Sequence, residues 1–439
     1  MTTSSKGLFK ASVVAVSVAA ASSAYSAGFA LNDHSATASG AALAGAAAST
    51  SDISFSFWNP ALFTNAESTT FMASGAYVMP SMDVDLNSAE DARFTYTSGG
   101  LPSQDISSDG VTQDSVDDTL VPSLYFAKPI SDKTVAGISL NVPFGLSGDY
   151  GQEWAGRFHA TETGIQDIAL SFALAHRVSE KLSVGASLQL HQAEVVLESA
   201  VGFSGTEGIG RIEADATGVG FSLGVMFEPV KGTRLGAGYR SEVDFDFEGD
   251  VKYSDVPAAI VAGVGTVDAD VTDSITFPSV LTLSVEHDLS DKLTLGLSAI
   301  RTGWGSMDGI NIDFDSNQPN SVLTFGFEDQ WMYSAGVNYV YSDKLTLRTG
   351  IAMDNSPVTD EYRSARTPDG DRKWISVGAT YDFNDMTSAS FAFTHVMIED
   401  VSVDRDFTGS GEEDQGRGTL NADYESSANV FSASVSMAF

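Results

Sequence analysis

Apolar and polar residues alternate with a period of two through most of the chain after residue 70. At the C-terminus Phe431, Val435 and Phe439 share one side of the pattern, and Ser432 and Ser434 share the other. Because successive side chains of a β-strand point to opposite faces, this pattern predicts a strand with one apolar and one polar face. Similar alternation defines about 14 segments: 71–79, 120–126, 135–142, 168–174, 184–190, 219–227, 235–247, 280–285, 293–300, 332–341, 345–353, 374–383, 388–396 and 431–439.

Two kinds of connection join these segments, and the two kinds alternate along the chain. The short ones are rich in Ser, Asp and Asn, which favour tight turns: 131–133, 179–182, 229–233, 290–293, 342–345 and 384–387. The long ones are polar: 82–118, 147–164, 199–215, 250–272, 304–320, 354–371 and 400–422. An even number of strands with short periplasmic turns and long extracellular loops is typical of a bacterial outer-membrane barrel. We therefore predict an all-β fold, a 14-stranded antiparallel transmembrane β-barrel over residues 67–439, with a water-soluble β-sandwich as the alternative.

The first 26 residues have the pattern of a secretory signal peptide. Lys6 and Lys10 precede a short apolar stretch, and Ala24 and Ser26 place small residues where a signal peptidase reads them. We expect cleavage after Ser26 and export of the mature chain to the bacterial outer membrane. No later segment reaches the ~18 apolar residues that a membrane-spanning helix requires.

The segment 27–66 does not share the alternation and is rich in Ala, Gly and Ser. Small residues pack closely in a confined volume, so we predict a mostly helical plug inside the barrel lumen, beginning at Ala27, Gly28 and Phe29. It ends with Asn59, Pro60 and Ala61, where Asn-Pro favours turn initiation and Pro fixes the chain direction. A disordered periplasmic tail is the alternative.

Composition excludes several function classes. The net charge is −35, from 58 acidic and 23 basic side chains, which argues against binding nucleic acid. With no Cys there is no disulfide, no thiolate metal site and no thiol nucleophile. The six His lack metal-site spacing, and no phosphate-binding glycine motif is present, so we expect no metal and no cofactor.

Much of the acidic charge falls in the long outer loops. These residues are Asp105, Asp109, Asp114, Asp117, Asp118, Asp268, Asp270, Asp273, Glu412, Glu413 and Asp414. Two explanations stay open: divalent cations that bridge the loops to lipopolysaccharide, or a saline habitat in which charge is screened.

One segment matches the G-x-S-x-G pattern of serine hydrolases, with Ser222 at its centre. It lies in an alternating strand with no helix after it, so the context of a nucleophile elbow is missing. We expect no enzymatic activity. A hydrolase in which Ser, His and a carboxylate meet in space is the alternative.

The order of these features resembles the FadL family of outer-membrane transporters for long-chain fatty acids and other hydrophobic compounds. The resemblance spans nearly the whole mature chain and rests on 27–31, 59–61, 239–243, 348–358 and 371–378, with Phe439 at the end. It implies a monomeric barrel closed by an N-terminal plug, with Phe439 read by the barrel-assembly machinery. It also implies passive transport of hydrophobic small molecules, first of all fatty acids, with aromatic hydrocarbons as the alternative. The plug argues against a general porin.

Two groups of residues are candidates for this transport. Pro143, Phe144 and Gly145 end the third strand, and a Pro there removes a ladder donor. The resemblance implies a kink that opens the wall for sideways release, whereas the alternative is a strand ending before its loop. In the next loop, Trp154, Phe158 and Arg157 resemble a family motif, with two apolar side chains for capture and a cation for a carboxylate; the alternative is a loop packed against its own neighbours.

The chain departs from the family where basic luminal side chains hold the carboxylate. The stretches that align best, 194–199 and 323–328, contain neither Lys nor Arg. Either another cation acts or the cargo is not an anion. The candidate cations are Arg157, Arg240, Arg301 and Arg348.

Overall fold

A computed structural model describes residues 28–91, 104–110, 115–203, 206–406 and 416–439. The predicted signal peptide, Ala27 and the acidic residues 114 and 412–414 lie outside the described residues.

The described sheet contains nineteen β-strands, which make up fourteen strands of the barrel wall and one additional hairpin. β7 with β8, β9 with β10 and β17 with β18 are consecutive pieces of single wall strands, and β12 with β13 forms a hairpin outside the wall. The strands are β1 Thr70–Glu90, β2 Thr119–Ser131, β3 Thr134–Asp149, β4 Glu162–Ser179, β5 Leu182–Phe203, β6 Thr206–Val230, β7 Thr233–Arg240, β8 Val243–Ser254, β9 Ala269–Phe277, β10 Val280–Ser290, β11 Leu293–Thr302, β12 Gly309–Phe314, β13 Ser321–Thr324, β14 Gln330–Ser342, β15 Leu345–Asp354, β16 Arg372–Asn384, β17 Thr387–Ile398, β18 Val401–Arg405 and β19 Thr419–Ala438.

The barrel is closed because its first and last strands pair with each other. Thr70 of β1 lies opposite Ala127 of β2 on one side and opposite Ala438 of β19 on the other, and all wall pairs are antiparallel. Each alternating segment of the sequence falls on a different wall strand, so the predicted 14-stranded barrel is confirmed.

Exposure of the two faces is the inverse of that in a water-soluble protein. Phe431, Val435 and Phe439 are exposed on the outside, whereas Ser432 and Ser434 are buried in the lumen. An apolar outer band with a polar interior is what a barrel in lipid requires, because closure pairs the backbone groups internally. Among the described residues, no helix is both long and apolar enough to cross a membrane.

The connection expected over 199–215 is wrong, because most of it is strand. The β5–β6 ladder continues to the pair Phe203 and Thr206. Ile212 and Ala214 still alternate with Arg211 and Glu213, and Arg211 forms ion pairs with carboxylates including Glu162 of β4. Charged outer side chains therefore extend the wall beyond the lipid band. Two other long connections contain α2 Ala258–Val264 and η3 Trp304–Ser306.

Residues 28–66, which we call the plug, lie inside the barrel and are almost entirely buried. The plug is built from short elements: α1 Ala36–Ser39, η1 Ile53–Phe57 and η2 Pro60–Asn65, with successive turns over the Ala-rich run 41–48. α1 packs on β16, β17 and β19, and η2 packs on β3, β4, β5 and β6. The predicted plug in the lumen is therefore present.

Close approach between plug and wall depends on glycine. A Cβ atom at Gly378 would lie 2.8 Å from the Cα of Gly40, and one at Gly296 would lie 3.0 Å from the carbonyl carbon of Ala44. Contacts this short have no room for a side chain. The same holds at other luminal glycines that face the plug: Gly137, Gly185, Gly224, Gly236, Gly238, Gly336 and Gly350.

Candidate functional site

The wall is interrupted at the upper end of β3, where the sequence predicts a kink. The ladder between β2 and β3 ends at the pair Leu124 and Leu140. The ladder between β3 and β4 shifts register between Asn141 and Phe144, which leaves one extra residue on β3 next to Pro143. A bulge of this kind bends the strand and ends regular pairing. We call this place the first break.

The start of the plug takes the place of the missing neighbour strand. The amide of Gly145 donates to the carbonyl of Phe29, and the amide of Leu31 donates to the carbonyl of Pro143, both at 2.8 Å. The structure thus brings the predicted kink residues together with Gly28 and Phe29 at the head of the plug. In this conformation the first break is closed by the protein itself.

Phe29 fills the centre of an apolar region above the rest of the plug. Its ring lies 4.6 Å from Trp304, 5.7 Å from Phe277 and 6.0 Å from Phe144, centroid to centroid. We call this region the apolar chamber; further buried members are Ile165, Val195, Leu197, Val243, Phe245, Phe247, Val271, Ile275, Leu323, Phe325 and Phe327. The chamber includes the inward residues of 194–199 and 323–328, so apolar side chains stand where the family resemblance leads one to expect cations.

A small pocket lies beside the first break, between β1, the upper part of β3 and the loop before β16. Met82, Val116 and Leu146 line its apolar side, and Arg366 and Arg372 line its polar end. Its free volume is about 60 Å³ in this conformation. A drug-sized ligand needs a pocket of roughly 300–1,000 Å³. The pocket therefore has to widen before it holds a ligand.

Arg372 is the buried cation of this pocket. One guanidinium nitrogen pairs with Asp369, whereas Nε and Nη1 have no hydrogen-bond partner within the described residues. The other oxygen of Asp369 accepts from the amide of Gly28 at 2.9 Å and from the hydroxyl of Ser356 at 2.7 Å. The head of the plug and Arg372 are thus tied to one carboxylate.

Arg366 is a second cation at the same end. Its guanidinium donates to the carbonyls of Glu162 and Glu198, at 2.9 and 3.1 Å, and to the hydroxyl of Thr163 at 2.8 Å. Burial, and then the charge of Arg417, lower the pKa of Arg366 to about 9. It keeps its charge at neutral pH and its hydrogen-bond acceptors are neutral, so the polar end of the pocket suits an anionic group.

Trp154, Arg157 and Phe158 lie in the interior of the extracellular loops. Trp154 stacks on Tyr150 with ring centroids 4.3 Å apart, and its indole NH donates to the carbonyl of Ala160 at 2.6 Å. The guanidinium of Arg157 pairs with Asp109 at 2.8 Å and Glu207 at 3.0 Å. All three are at most 4% exposed, so in this conformation they form a packed loop rather than an open surface. Their part in capture stays a prediction that requires the loops to open.

The remaining candidate cations lie elsewhere. Arg240 is buried in the lumen with its guanidinium 4.0 Å from the centre of the Phe57 ring, and Arg348 donates to the hydroxyl of Thr380 at 2.6 Å. Arg301 is partly exposed and pairs with Asp329. Arg366 and Arg372 were not among the cations predicted from the sequence. The inward direction of Arg372 could have been predicted from the alternation of inward and outward residues along β16. Arg372 lies on the same inward face as Trp374 and Ser376, and Lys373 points outward.

The Asn59-Pro60-Ala61 turn fastens the plug to itself and to the wall. The amide nitrogen Nδ2 of Asn59 donates to the carbonyls of Ala47 at 2.7 Å and Val225 at 2.9 Å. Its Oδ1 accepts from the backbone amide of Ala61 at 3.0 Å, which caps the first turn of η2, with Pro60 in the first helical position.

The described residues show no activated nucleophile at Ser222 and no group of side chains arranged to bind a metal ion. Ser222 lies within β6 and shares a 2.6 Å hydrogen bond with Ser187 of β5. In the described parts of the chain, no cluster of His, Asp and Glu is arranged to hold a metal ion.

Comparison with known proteins places this barrel among outer-membrane proteins. Residues 17–439 match the family model described as outer membrane protein transport protein (OMPP1/FadL/TodX). A long-chain fatty acid transport protein of Escherichia coli O6:H1 is 30% identical, over 99% of this chain and 100% of that protein. Outer membrane protein P1 of Haemophilus influenzae is 29% identical, over 86% of this chain and 87% of that protein.

Two solved structures share the fold. A Pseudomonas aeruginosa FadL homologue superposes with a TM-score of 0.84 at 22% identity, over 94% of this chain and 100% of that one. The P. putida toluene transporter TodX superposes with a TM-score of 0.64 at 20% identity, over 87% of this chain and 92% of that one.

Proposed function

Because the chain belongs to the OMPP1/FadL/TodX family of outer-membrane transport proteins, we propose that it carries long-chain fatty acids passively across the outer membrane. The protein is an outer-membrane barrel of a family of hydrophobic-compound transporters. The finer proposal concerns the cargo and the route: the fatty acid binds beside the first break and leaves sideways through it.

The pocket beside the first break is the observation that carries the proposal. Its apolar side, formed by Met82, Val116 and Leu146, suits an alkyl chain. Its polar end, formed by Arg366, Arg372 and Asp369, holds two cations against one carboxylate, and this surplus of positive charge suits a carboxylate ligand. Each methylene that leaves water contributes ~0.8 kcal/mol. A chain of a dozen carbons therefore gains several kcal/mol from burial, and downhill transfer needs no nucleotide.

The closed conformation supports a displacement step. Phe29 occupies the apolar chamber, and its backbone and that of Leu31 hold the edge of β3. A ligand that enters the chamber competes with the ring of Phe29 for the same contacts. Loss of those contacts releases the two hydrogen bonds that close the first break, so binding and opening are linked.

The experiment that tests the cargo compares two ligands of equal chain length, a fatty acid and the corresponding alcohol. We expect Arg372→Gln to weaken binding of the acid to the purified protein by roughly tenfold to a hundredfold, because a charge-assisted hydrogen bond contributes about 1.5–3 kcal/mol. Binding of the alcohol should change little. Lys373→Gln is the matched control, since Lys373 is the next residue and points outward. Equal loss for both ligands, or no loss for the acid, contradicts the carboxylate assignment.

Aromatic hydrocarbons are a second candidate cargo, favoured by the rings of the chamber. Phe144, Phe277 and Trp304 present edges and faces at centroid distances of 5.2–5.9 Å, which suits another ring. Mass spectrometry of lipids and hydrocarbons that co-purify with the detergent-solubilised protein separates the two. Recovered fatty acids support the first proposal, and recovered neutral aromatics support the second.

Three partner assignments also stay proposals. These are contact of the outer loops with lipopolysaccharide, recognition of Phe439 by the barrel-assembly machinery, and a monomeric state. Phe439 is 76% exposed at the periplasmic end of the barrel, and its amide donates to the carbonyl of Thr69 at 2.8 Å. An exposed terminal ring is compatible with recognition during assembly.

A further inference from the structure

A second interruption of the wall lies between β6 and the strand made of β7 and β8. The β6–β7 ladder ends at the pair Ser222 and Arg240, and the β6–β8 ladder begins at the pair Asp215 and Glu248. Next to the first of these pairs, the amide of Ser241 still donates to the carbonyl of Phe221 at 2.9 Å. Beyond that bond, residues 216–220 face residues 242–247 without ladder pairing. The register changes across the gap by one residue, which sits on the β7–β8 side. We call this place the second break.

Side chains of the apolar chamber close the second break from inside. Val243 and Phe245 lie against Gly218 and Gly220 of β6, and a Cβ atom at Gly220 would lie only 3.0 Å from Cγ2 of Val243. Glycines in a strand interior often mark a place where another group approaches the backbone closely. Here the approaching groups are side chains of the neighbouring strand. They fill the space between the two strands where the backbone hydrogen bonds of the ladder are missing.

The two breaks open onto the same chamber. Phe144 at the first break lies 5.2 Å from Phe277, and Phe277 lies 4.8 Å from Phe245 at the second break. The three rings form a continuous apolar path across the lumen. A hydrophobic molecule in the chamber therefore touches both interruptions of the wall.

A buried hydrogen-bonding group lies directly behind the second break. His191 is 1% exposed, and its Nδ1 lies 2.9 and 3.0 Å from the two carboxylate oxygens of Asp167. Because a carboxylate only accepts, Nδ1 carries a proton, and in the neutral form of the ring Nε2 is left as an acceptor. Nε2 has no hydrogen-bond partner among the described residues and lies 3.4 Å from where a Cβ of Gly220 would be. This acceptor therefore lies beside Gly220, one of the unpaired residues of the second break.

The outer side of the second break is an acidic groove with a volume of about 1060 Å³. In the part of the chain that the structure describes, its lining contains no Lys or Arg. It contains six acidic residues: Asp215, Asp244, Asp246, Glu248, Asp250 and Asp270. Like charges repel, so this groove disfavours a fatty-acid anion, whereas the pocket at the first break has two cations and one carboxylate.

We propose that the second break is a second lateral opening, which admits neutral hydrophobic molecules that carry a hydroxyl group, such as long-chain alcohols. The alkyl part enters the apolar chamber between Val243 and Phe245, and the hydroxyl donates to Nε2 of His191. The inference rests on the proposed transport function and adds a second route with a different preference for head groups.

A disulfide at the lower edge of the second break, which fixes the two strands where the gap begins, tests the route, and the absence of native Cys makes the test clean. The Oγ of Ser241 lies 3.2 Å from a Cβ at Gly220, which suits a Gly220→Cys, Ser241→Cys pair. The matched control is Ser376→Cys, Thr394→Cys, a paired position on β16 and β17 away from both breaks. Uptake of a labelled long-chain alcohol and of the matching fatty acid is measured in cells, first oxidised and then reduced.

We expect oxidation of the Gly220–Ser241 pair to lower alcohol uptake severalfold, to leave acid uptake within twofold, and to be reversed by reduction. Because the same folded protein is compared in two redox states, misfolding of the variant does not mimic the result. Equal alcohol uptake in both states overturns the second route while leaving acid transport intact. Absence of uptake for both ligands in the wild type overturns the proposed function as well.

The role of His191 is tested first from the ligand side, on the unaltered protein, and then with a variant of His191 itself. A long-chain methyl ether has the shape of the alcohol but no hydroxyl donor. We expect the wild type to bind the alcohol about threefold to tenfold more tightly than the ether, as one neutral hydrogen bond allows. The difference should vanish in His191→Phe. Equal affinities in the wild type contradict a role of His191 in recognition.

Discussion

The plug is held in different ways in the lower and the upper part of the lumen. In the lower part, wall hydroxyls bond the plug backbone: Ser298 accepts from the amide of Ala46 at 3.1 Å, and Ser284 accepts from the amide of Ala47 at 2.9 Å. In the upper part, the ring of Phe29 is held by ring contacts, the backbone of the plug head is held by a few hydrogen bonds to Pro143, Gly145 and Asp369, and two wall ladders are interrupted. In the lower part, hydrogen bonds and close contacts with wall glycines allow the plug only one position. In the upper part, the apolar contacts of the Phe29 ring can be replaced by contacts with a ligand. The comparison indicates a fixed lower plug and a displaceable head.

The largest effect is expected where the lower plug meets a wall glycine. Gly236→Val places a branched side chain against the backbone of Ala47, with no flexible group to yield. Overpacking costs about 1–3 kcal/mol or more, so we expect a large drop in the folded fraction, seen as loss of the heat-modifiable band on denaturing gels. Gly75→Ala is the control, because its nearest contact is a Leu120 methyl at 3.3 Å. Normal folding of Gly236→Val contradicts tight seating of the plug.

The next effect concerns the turn that fastens the lower plug. Asn59→Ala removes the two side-chain donations and the cap of η2, which together contribute about 2–3 kcal/mol. We expect the plug to become sensitive to proteases and to permit ion current in planar bilayers. Asn65→Ala in the same element is the control, because Nδ2 of Asn65 has no hydrogen-bond partner among the described residues. If both variants behave alike, the bonds of Asn59 do not hold the plug.

A smaller effect, of opposite sign, is expected in the upper part. Phe29→Ala empties the centre of the chamber, so a ligand no longer has to displace the ring. We expect fatty-acid affinity to rise by up to about tenfold, equivalent to about 1.4 kcal/mol. Phe55→Ala sharpens the comparison, since Phe55 lies in the lower plug and its loss should weaken folding without raising affinity. An affinity gain in Phe55→Ala, or a loss in Phe29→Ala, breaks the distinction between the two parts.

The smallest effect is expected for Ser222, which lies in the wall strand β6 and not in the plug. Ser222→Ala removes one hydrogen bond to Ser187, worth about 1 kcal/mol, and should leave uptake unchanged. A lipase activity of the wild type that disappears in this variant would revive the hydrolase alternative.

Period-two alternation was sufficient to predict the wall but not its interior. The phase of Phe431 and Ser432 tells which residues share a face, and Pro143 marks a strand that loses its partner. The alternation cannot show that Phe29 joins the edge of β3, because that pairing depends on the path of the plug through the lumen. The second break was hidden for a similar reason: Gly218 and Gly220 keep the phase of β6, and only the register of the next strand reveals the interruption.

The two cations of the pocket beside the first break were not predicted from the sequence. The stretches that resemble the family's luminal positions have apolar residues such as Val195, Leu197 and Phe325. The predicted candidates were therefore arginines elsewhere in the chain: Arg157, Arg240, Arg301 and Arg348. Arg366 comes from a loop, whose side chains follow no period, so its direction was not predictable. Arg372 was predictable from the phase of β16 alone.

Release through the first break is tested most directly by deleting residues 143–145, which removes the bulge and the plug's partner on β3. Uptake of a labelled long-chain fatty acid is compared with that of the wild type in cells matched for heat-modifiable, folded barrel. We expect the deletion variant to assemble and to lose most of its uptake. Wild-type uptake by a correctly folded deletion variant contradicts sideways release through the first break.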